Sequence, residues 1–162
     1  MMFYNEAENK YIQEGTSFEL NGIQYPPQWL NSSTPEEKEA IGLQEVIAQN
    51  QPYNPVYYWT GETLNGATLT YTGTPKDLTE VKTNAIAQVD GTAYSILLPT
   101  DYVEARNLRN PEYKLDWMLW RDSIRATAKA TMTAIGSATT VDEVATIMAN
   151  IVWPNDPNSL TV

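Results

Sequence analysis

The sequence predicts an α+β protein: a small β-rich N-terminal part followed by a three-helix C-terminal unit. Two Asn-Gly dipeptides, Asn21-Gly22 and Asn65-Gly66, each sit between short runs of strand-forming residues in the first 75 positions, and Asn-Gly favours the tight turn of a hairpin. From Asp77 onward the apolar residues recur at helical rather than strand spacing. Helix start signals then reappear at Thr140 and Glu143. We therefore divide the chain into residues 1–75, a β-rich domain with one short helix, and residues 76–162, a helical domain.

In chain order, Phe18-Glu19-Leu20 and Ile23-Gln24-Tyr25 flank Asn21-Gly22 and read as a hairpin that Pro26-Pro27 stops. Thr34-Pro35-Glu36-Glu37 begins a short helix, with Thr34 as N-cap, Pro35 at the first helical position and Glu37 completing a capping box. Gly42 ends it, and Val46-Ile47-Ala48 is expected to form a strand. After the break Gln51-Pro52-Tyr53-Asn54-Pro55, Val56-Tyr57-Tyr58-Trp59-Thr60 is a strand by β-propensity. Alternation places Tyr57 and Trp59 on the face opposite Tyr58. The stretch around Asn65-Gly66 supplies further strand, closed by Gly73-Thr74-Pro75.

Asp77 with Glu80 opens a long helix whose stripe runs through Leu78, Val81, Ala85, Val89, Thr92 and Ile96. Gly91 inside it implies a packing contact or slight bend, and Pro99 ends it. Thr100 or Asp101 caps a short turn of helix through Leu108, before Asn110-Pro111 breaks it. A second long helix is expected from about Glu112 to Ile135, burying Trp117, Trp120, Ile124, Ala128, Thr131 and Ile135. Leu115, Met118 and Leu119 widen that stripe, and Gly136 is the stop. A last helix, with Thr140 and Glu143 as capping box, carries Val141, Val144, Ala145, Met148, Ile151 and Val152 to a point before Pro154.

Composition excludes several chemistries. The chain has no cysteine and no histidine, which removes disulfides, thiolate chemistry, the usual zinc sites and His-based acid–base pairs. Its formal net charge is −10, so nonspecific nucleic-acid binding is not expected, because phosphate contacts need clustered positive charge. Residues 1–75 hold nine acids against two lysines, and all four arginines fall between Arg106 and Arg125. There is no long apolar run for a membrane span, and Met1 to Lys10 has neither the basic start nor the apolar stretch of a secretory signal. Glu36, Glu37, Glu39 and Glu45 sit on a solvent-type helix with no second acidic cluster to form a glycosidase pair. Asp142 and Glu143 suit a helix N-terminus. A nucleophile elbow, a phosphate loop and metal-ligand spacing are all missing, so the chain is expected to be non-enzymatic and to need no cofactor.

What remains is a set of contact-forming residues. Arg121 and Arg125, one turn apart, could grip carboxylates or phosphates of a ligand; interleaved acids make internal pairing with Asp116, Asp122, Glu104 or Asp101 the plainer expectation. Five tryptophans and ten tyrosines supply stiff, large contact surfaces of the kind enriched at interfaces. Trp117 and Trp120 are assigned to the core, whereas Trp29, Tyr58 and Trp59 are the candidate partner-binding residues.

Residues 81–154 resemble the C-terminal module of phage tail assembly chaperones and tail-fibre assembly proteins, including related proteins of marine phages. The pattern is Pro99-Thr100-Asp101-Tyr102 after a helix, then Arg106, then Trp120-Arg121 with Arg125, and finally Trp153-Pro154. Gly22-Ile23-Gln24-Tyr25-Pro26, Trp29-Leu30, Ser33-Thr34-Pro35-Glu36-Glu37 and Gly42-Leu43 are similar to the opening of such proteins; residues 50–76 match none of the pattern. The resemblance implies a non-enzymatic protein that binds a tail-fibre or tail-tip protein and assists its assembly, located in the virion tail or in the host cytoplasm during assembly. The alternative is a permanent tail subunit, a fibre tip or adaptor, docking on tail proteins or a host receptor.

Overall fold

The computed structural model describes residues 1–157 and has the α+β arrangement expected, strands first and helices after. The chain divides into two compact units, Met1–Thr74 and a second beginning at Pro75.

In the first unit β1 (Met2–Asn5) lies between β2 (Lys10–Gln13) and β5 (Leu43–Glu45), antiparallel to both. The β1–β2 hairpin was not foreseen. β3 (Phe18–Leu20) and β4 (Ile23–Tyr25) form the predicted hairpin, with Leu20 paired to Ile23. Both turn residues are left-handed, Asn21 at φ 52° and Gly22 at φ 76°, as a two-residue turn of this hand requires. Phe3, Ile12, Phe18, Leu20, Leu30 and Leu43 are buried together, with Tyr25, Trp29 and Ile41 packed against them. Asn5, 2% exposed, ties this core to the sheet. Its Nδ2 donates to the Ile41 and Gly42 carbonyls (3.2 and 3.1 Å), and its Oδ1 accepts from Glu8 N, so burying the amide leaves it satisfied.

A short helix α1 (Trp29–Ser32) was likewise not foreseen. The helix α2 (Pro35–Ala40) has the reciprocal capping box expected: Thr34 accepts from Glu37 N, and the Glu37 carboxylate accepts from Thr34 N at 2.8 Å. The expected strand Val46–Ala48 is instead split. Val46 N donates to Met2 O at the end of β5, and only β6 (Ile47–Ala48) continues, parallel to residues 68–69 further along the chain. The strand expected from Val56 starts later, as β7 (Tyr58–Asn65), because Asn54 folds its side chain onto Val56 N while its carbonyl accepts from Tyr57 N and Tyr58 N. This local turn outcompetes extended pairing, so Tyr57 does not share a strand face with Trp59. β8 (Thr68–Pro75) follows after the turn Gly66-Ala67, where only Gly66 is left-handed.

In the second unit α3 (Leu78–Leu97) is capped by Asp77, whose carboxylate accepts from Glu80 N, and buries Val81, Ala85, Val89 and Ala93. Gly91 makes no packing contact: a Cβ there would meet nothing within 4 Å. Leu98–Thr100 is a 3-10 turn containing Pro99, and α4 (Asp101–Asn107) follows. Neither expected cap acts. Thr100 makes no capping bond, and Asp101 already has helical dihedrals. The second long helix, α5 (Leu115–Ser137), begins later than expected and runs through Gly136. That glycine is therefore not the stop; its carbonyl instead accepts from Lys82 Nζ at 2.9 Å, a cation at a helix C-terminus. Leu115 and Leu119 are 51% and 63% exposed rather than part of the buried stripe.

The last helix, α6 (Val141–Ala149), is capped by Thr140, but Glu143 turns its carboxylate to Thr139 N rather than to the N-cap, so the box is incomplete. It ends before Ile151 and Val152. α3, α5 and α6 pack on one another, and α4 packs on α5. Along these helices, Thr83, Thr92, Ser95, Thr131, Thr133, Ser137 and Thr146 each donate to the carbonyl four residues earlier.

Candidate partner-binding surface

The three residues chosen from the sequence lie in different settings, all within the first unit. Trp29 is half-buried, its ring 4.9 Å from Tyr25 and 6.0 Å from Phe18 between centroids, both edge-on; it belongs to the core edge. Tyr58 is buried, with Tyr53 5.0 Å away. Tyr53 in turn lies flat over Gly73, where a Cβ would come within 2.5, 2.7 and 2.9 Å of its ring carbons. Trp59 alone is well exposed, at 67%. The three do not share a surface, and Trp59 is the one offered to solvent.

The arginine-rich segment resolves into two clusters. The first is internal. Arg121, on α5, is 2% exposed and donates to the Leu97 carbonyl (2.7 Å), to Thr100 Oγ1, to Asp101 (2.8 Å) and to Glu104 (2.7 Å). Arg125, one turn on, bonds the same Glu104 and also Asp122. Helical spacing puts both guanidiniums on the side of α5 that meets α4. Their acceptors come from the end of α3, the 3-10 turn and the start of α4, with Asp122 of α5 itself added for Arg125. The Arg125 and then the Arg121 hydrogen bonds hold the Glu104 carboxyl below its ordinary value. Asp116 takes no part. Beside it, Trp120 is buried and donates its Nε1–H to the Pro154 carbonyl at 3.0 Å, which assigns Trp120 to the core as expected. Trp117 is half-buried, edge-on to it at 5.6 Å.

The second cluster is at the surface, on the connection from α4 to α5. The Arg106 guanidinium lies 5.9 and 5.6 Å from the ring centres of Tyr102 and Tyr113 and donates to the Tyr113 hydroxyl. Lys114 Nζ lies 5.6 Å from Tyr102 and 5.2 Å from Trp117, and donates to the Tyr102 hydroxyl, which raises its pKa above the ordinary value. Asn107 holds the loop by donating to the Pro111 and Tyr113 carbonyls. Lys114 itself adopts a left-handed backbone, φ 45°, a conformation that costs energy for a residue with a Cβ. This cluster was not read from the sequence. One local signal points to it: Tyr102 and Arg106 are four apart on α4, a spacing that brings two side chains face to face on a helix.

Among the described residues no group of His, Cys, Asp and Glu could hold a metal ion, and no helix is long and apolar enough to cross a membrane. Comparison with known proteins finds no matching family model, no matching curated protein and no matching solved structure.

Proposed function

We propose that this chain is a non-enzymatic protein of phage tails, which binds a tail-fibre or tail-tip protein and assists its assembly. One observation supports the reading above the rest. The residues that carry the resemblance, scattered along the helical half, act together: Thr100 and Asp101 receive Arg121, Arg125 shares Glu104 with it, and Trp120 holds Pro154. These contacts give motifs that are separate in sequence a shared role in the helical unit, which supports the reading. They also explain the motifs' residue types. A planar guanidinium serves four acceptors at once, which an ammonium cannot do, and an indole N–H reaches a carbonyl from an apolar setting.

The test is co-expression with a tail-fibre protein encoded beside it, reading soluble, trimeric fibre. An assembly factor raises that yield and is missing from purified particles. Equal fibre yield without this chain would sink the assembly role. A fixed whole-number ratio to the major tail protein in particles would make it a permanent tail subunit instead, located in the virion rather than in the host cytoplasm during assembly.

A further inference from the structure

We propose that the α4–α5 connection, centred on Arg106, Arg109 and Lys114, is the docking surface of the helical unit, and that its occupant is an acidic segment of another protein carrying apolar side chains between its carboxylates. This rests on the reading that the chain works by holding a protein partner, and it assigns a surface and a chemistry to that step.

Charge sets this surface apart. Elsewhere in a chain of 20 acids and 10 bases, Arg121 and Arg125 bond carboxylates, and Lys10 and Lys82 donate to backbone carbonyls. Arg106, Arg109 and Lys114, by contrast, gather three cations within residues 106–114. All three of Arg106, Arg109 and Lys114 are exposed, and none lies within 4.0 Å of a carboxylate among the described residues. Arg106 and Lys114 are held by aromatic faces instead. A ring fixes a cation in place through its quadrupole but leaves its charge unneutralised. The result is a pair of pre-oriented positive groups whose ordering cost is already met before any anion arrives.

The neighbourhood is also apolar. Leu108, Leu115 and Leu119 are 84%, 51% and 63% exposed, and Leu115 and Leu119 are one turn apart on the same helix. Cations set among exposed leucines and tyrosines complement carboxylates spaced by apolar side chains. A peptide is favoured over a nucleic acid because the exposed leucines need an apolar side chain to cover them, which a sugar–phosphate backbone does not supply.

The experiment is a fluorescence-anisotropy titration of the full chain with a short fluorescein-labelled peptide of repeated Asp-Leu-Glu units. Controls are its Asn-Leu-Gln counterpart and a single-stranded oligonucleotide. The expected result is binding of the acidic peptide that falls as salt rises. A chain carrying Arg106→Gln, Arg109→Gln and Lys114→Gln should bind it about tenfold more weakly or worse. All three side chains are exposed, so an unchanged thermal melt shows that the variant is folded. If the variant melts early, the single change Arg109→Gln, which touches no ring, must still weaken binding. Equal binding of the Asn-Leu-Gln peptide, equal binding by the variants, or preference for the oligonucleotide would overturn the proposal. So would self-association of the wild-type chain that the triple change abolishes, because the occupant would then be a second copy. The titration needs no tail fibre, so the co-expression test can fail while this one holds.

Discussion

Removing the Arg121 guanidinium should cost far less than its four hydrogen bonds suggest, provided the space it fills is kept filled. Breaking a buried ion pair from one side typically costs about 3–5 kcal/mol, because a charge is left buried alone. Here that penalty is largely absent. The side chains of Asp101 and Glu104 remain 57% and 42% exposed, so water can take over, and Glu104 keeps Arg125. The Leu97 carbonyl keeps the Thr100 hydroxyl at 2.8 Å. Against these modest losses stands the cost of desolvating the guanidinium, whose Nε has no hydrogen-bond partner among the described residues. Arg121→Met, which retains most of the volume, should therefore destabilise the helical unit by about 1 kcal/mol. Arg121→Ala adds a cavity beneath α4 and should cost about 3 kcal/mol. The assay is urea unfolding followed by helical circular dichroism. With a slope near 1 kcal/mol per M, the two midpoints should separate by about 2 M. If Arg121→Met falls as far as Arg121→Ala, the charge contacts rather than the packing hold α4 to α5, and the reasoning is wrong.

Three other outcomes follow from the same geometry. Trp120→Phe keeps the ring but loses the bond to Pro154, so amide exchange after Ala149 should speed up while the melt drops by only about 1 kcal/mol. Gly73→Ala should displace the Tyr53 ring and loosen its packing on Tyr58, seen as sharpened tyrosine signals by NMR, whereas Trp59→Ala at an exposed site should leave stability within about 0.5 kcal/mol; a melt shifted by Trp59→Ala but not by Gly73→Ala would reverse these assignments. The carboxyls of Glu104 and Glu143 are both held below their ordinary value, Glu104 by Arg125 and then Arg121, Glu143 chiefly by the Thr139 backbone N–H. Their stabilising contribution is thus present above the unfolded value of 4.5 and lost as pH falls below it, so an acid titration should weaken the helical unit from about pH 4.5 downward.

Signals confined to a few adjacent residues were legible. Asn21-Gly22, the Thr34–Glu37 box, the Asp77 cap and the α3 stripe each follow from the chemistry of one turn, which tertiary contacts had no reason to override. Two failures were local, the Asn54 turn that delays β7 and the Glu143 bond to Thr139; the others came where a distant partner decided. Met2–Asn5 became a central strand because β2 and β5 pair with it from both sides, although its own residues alternate only weakly. Gly136 stayed helical because Lys82, far away in sequence, occupies its carbonyl. Leu115 and Leu119 fit the apolar period yet face solvent, since period alone does not say where the neighbouring helix ends. Of the nominated site, Trp29 and Tyr58 went to packing because aromatic content marks cores as readily as interfaces, and the surface cations gathered around Tyr102 only because the loop after Asn107 turns back.

The hydroxyls that bond back onto α3, α5 and α6 have a consequence for how the helical unit comes into being. Threonine and serine are weak helix formers, and a hydroxyl satisfied by the preceding turn adds little to the helix that carries it. Neither long helix is therefore expected to persist by itself, because helix order in proteins comes mostly from tertiary packing of one face rather than from propensity; their order comes from the seam they share. A backbone nick near Asn110 would leave two fragments in which the residues of the helical unit are largely unstructured. They would regain helix only on mixing, with Arg121 on one fragment finding Asp101 and Glu104 on the other.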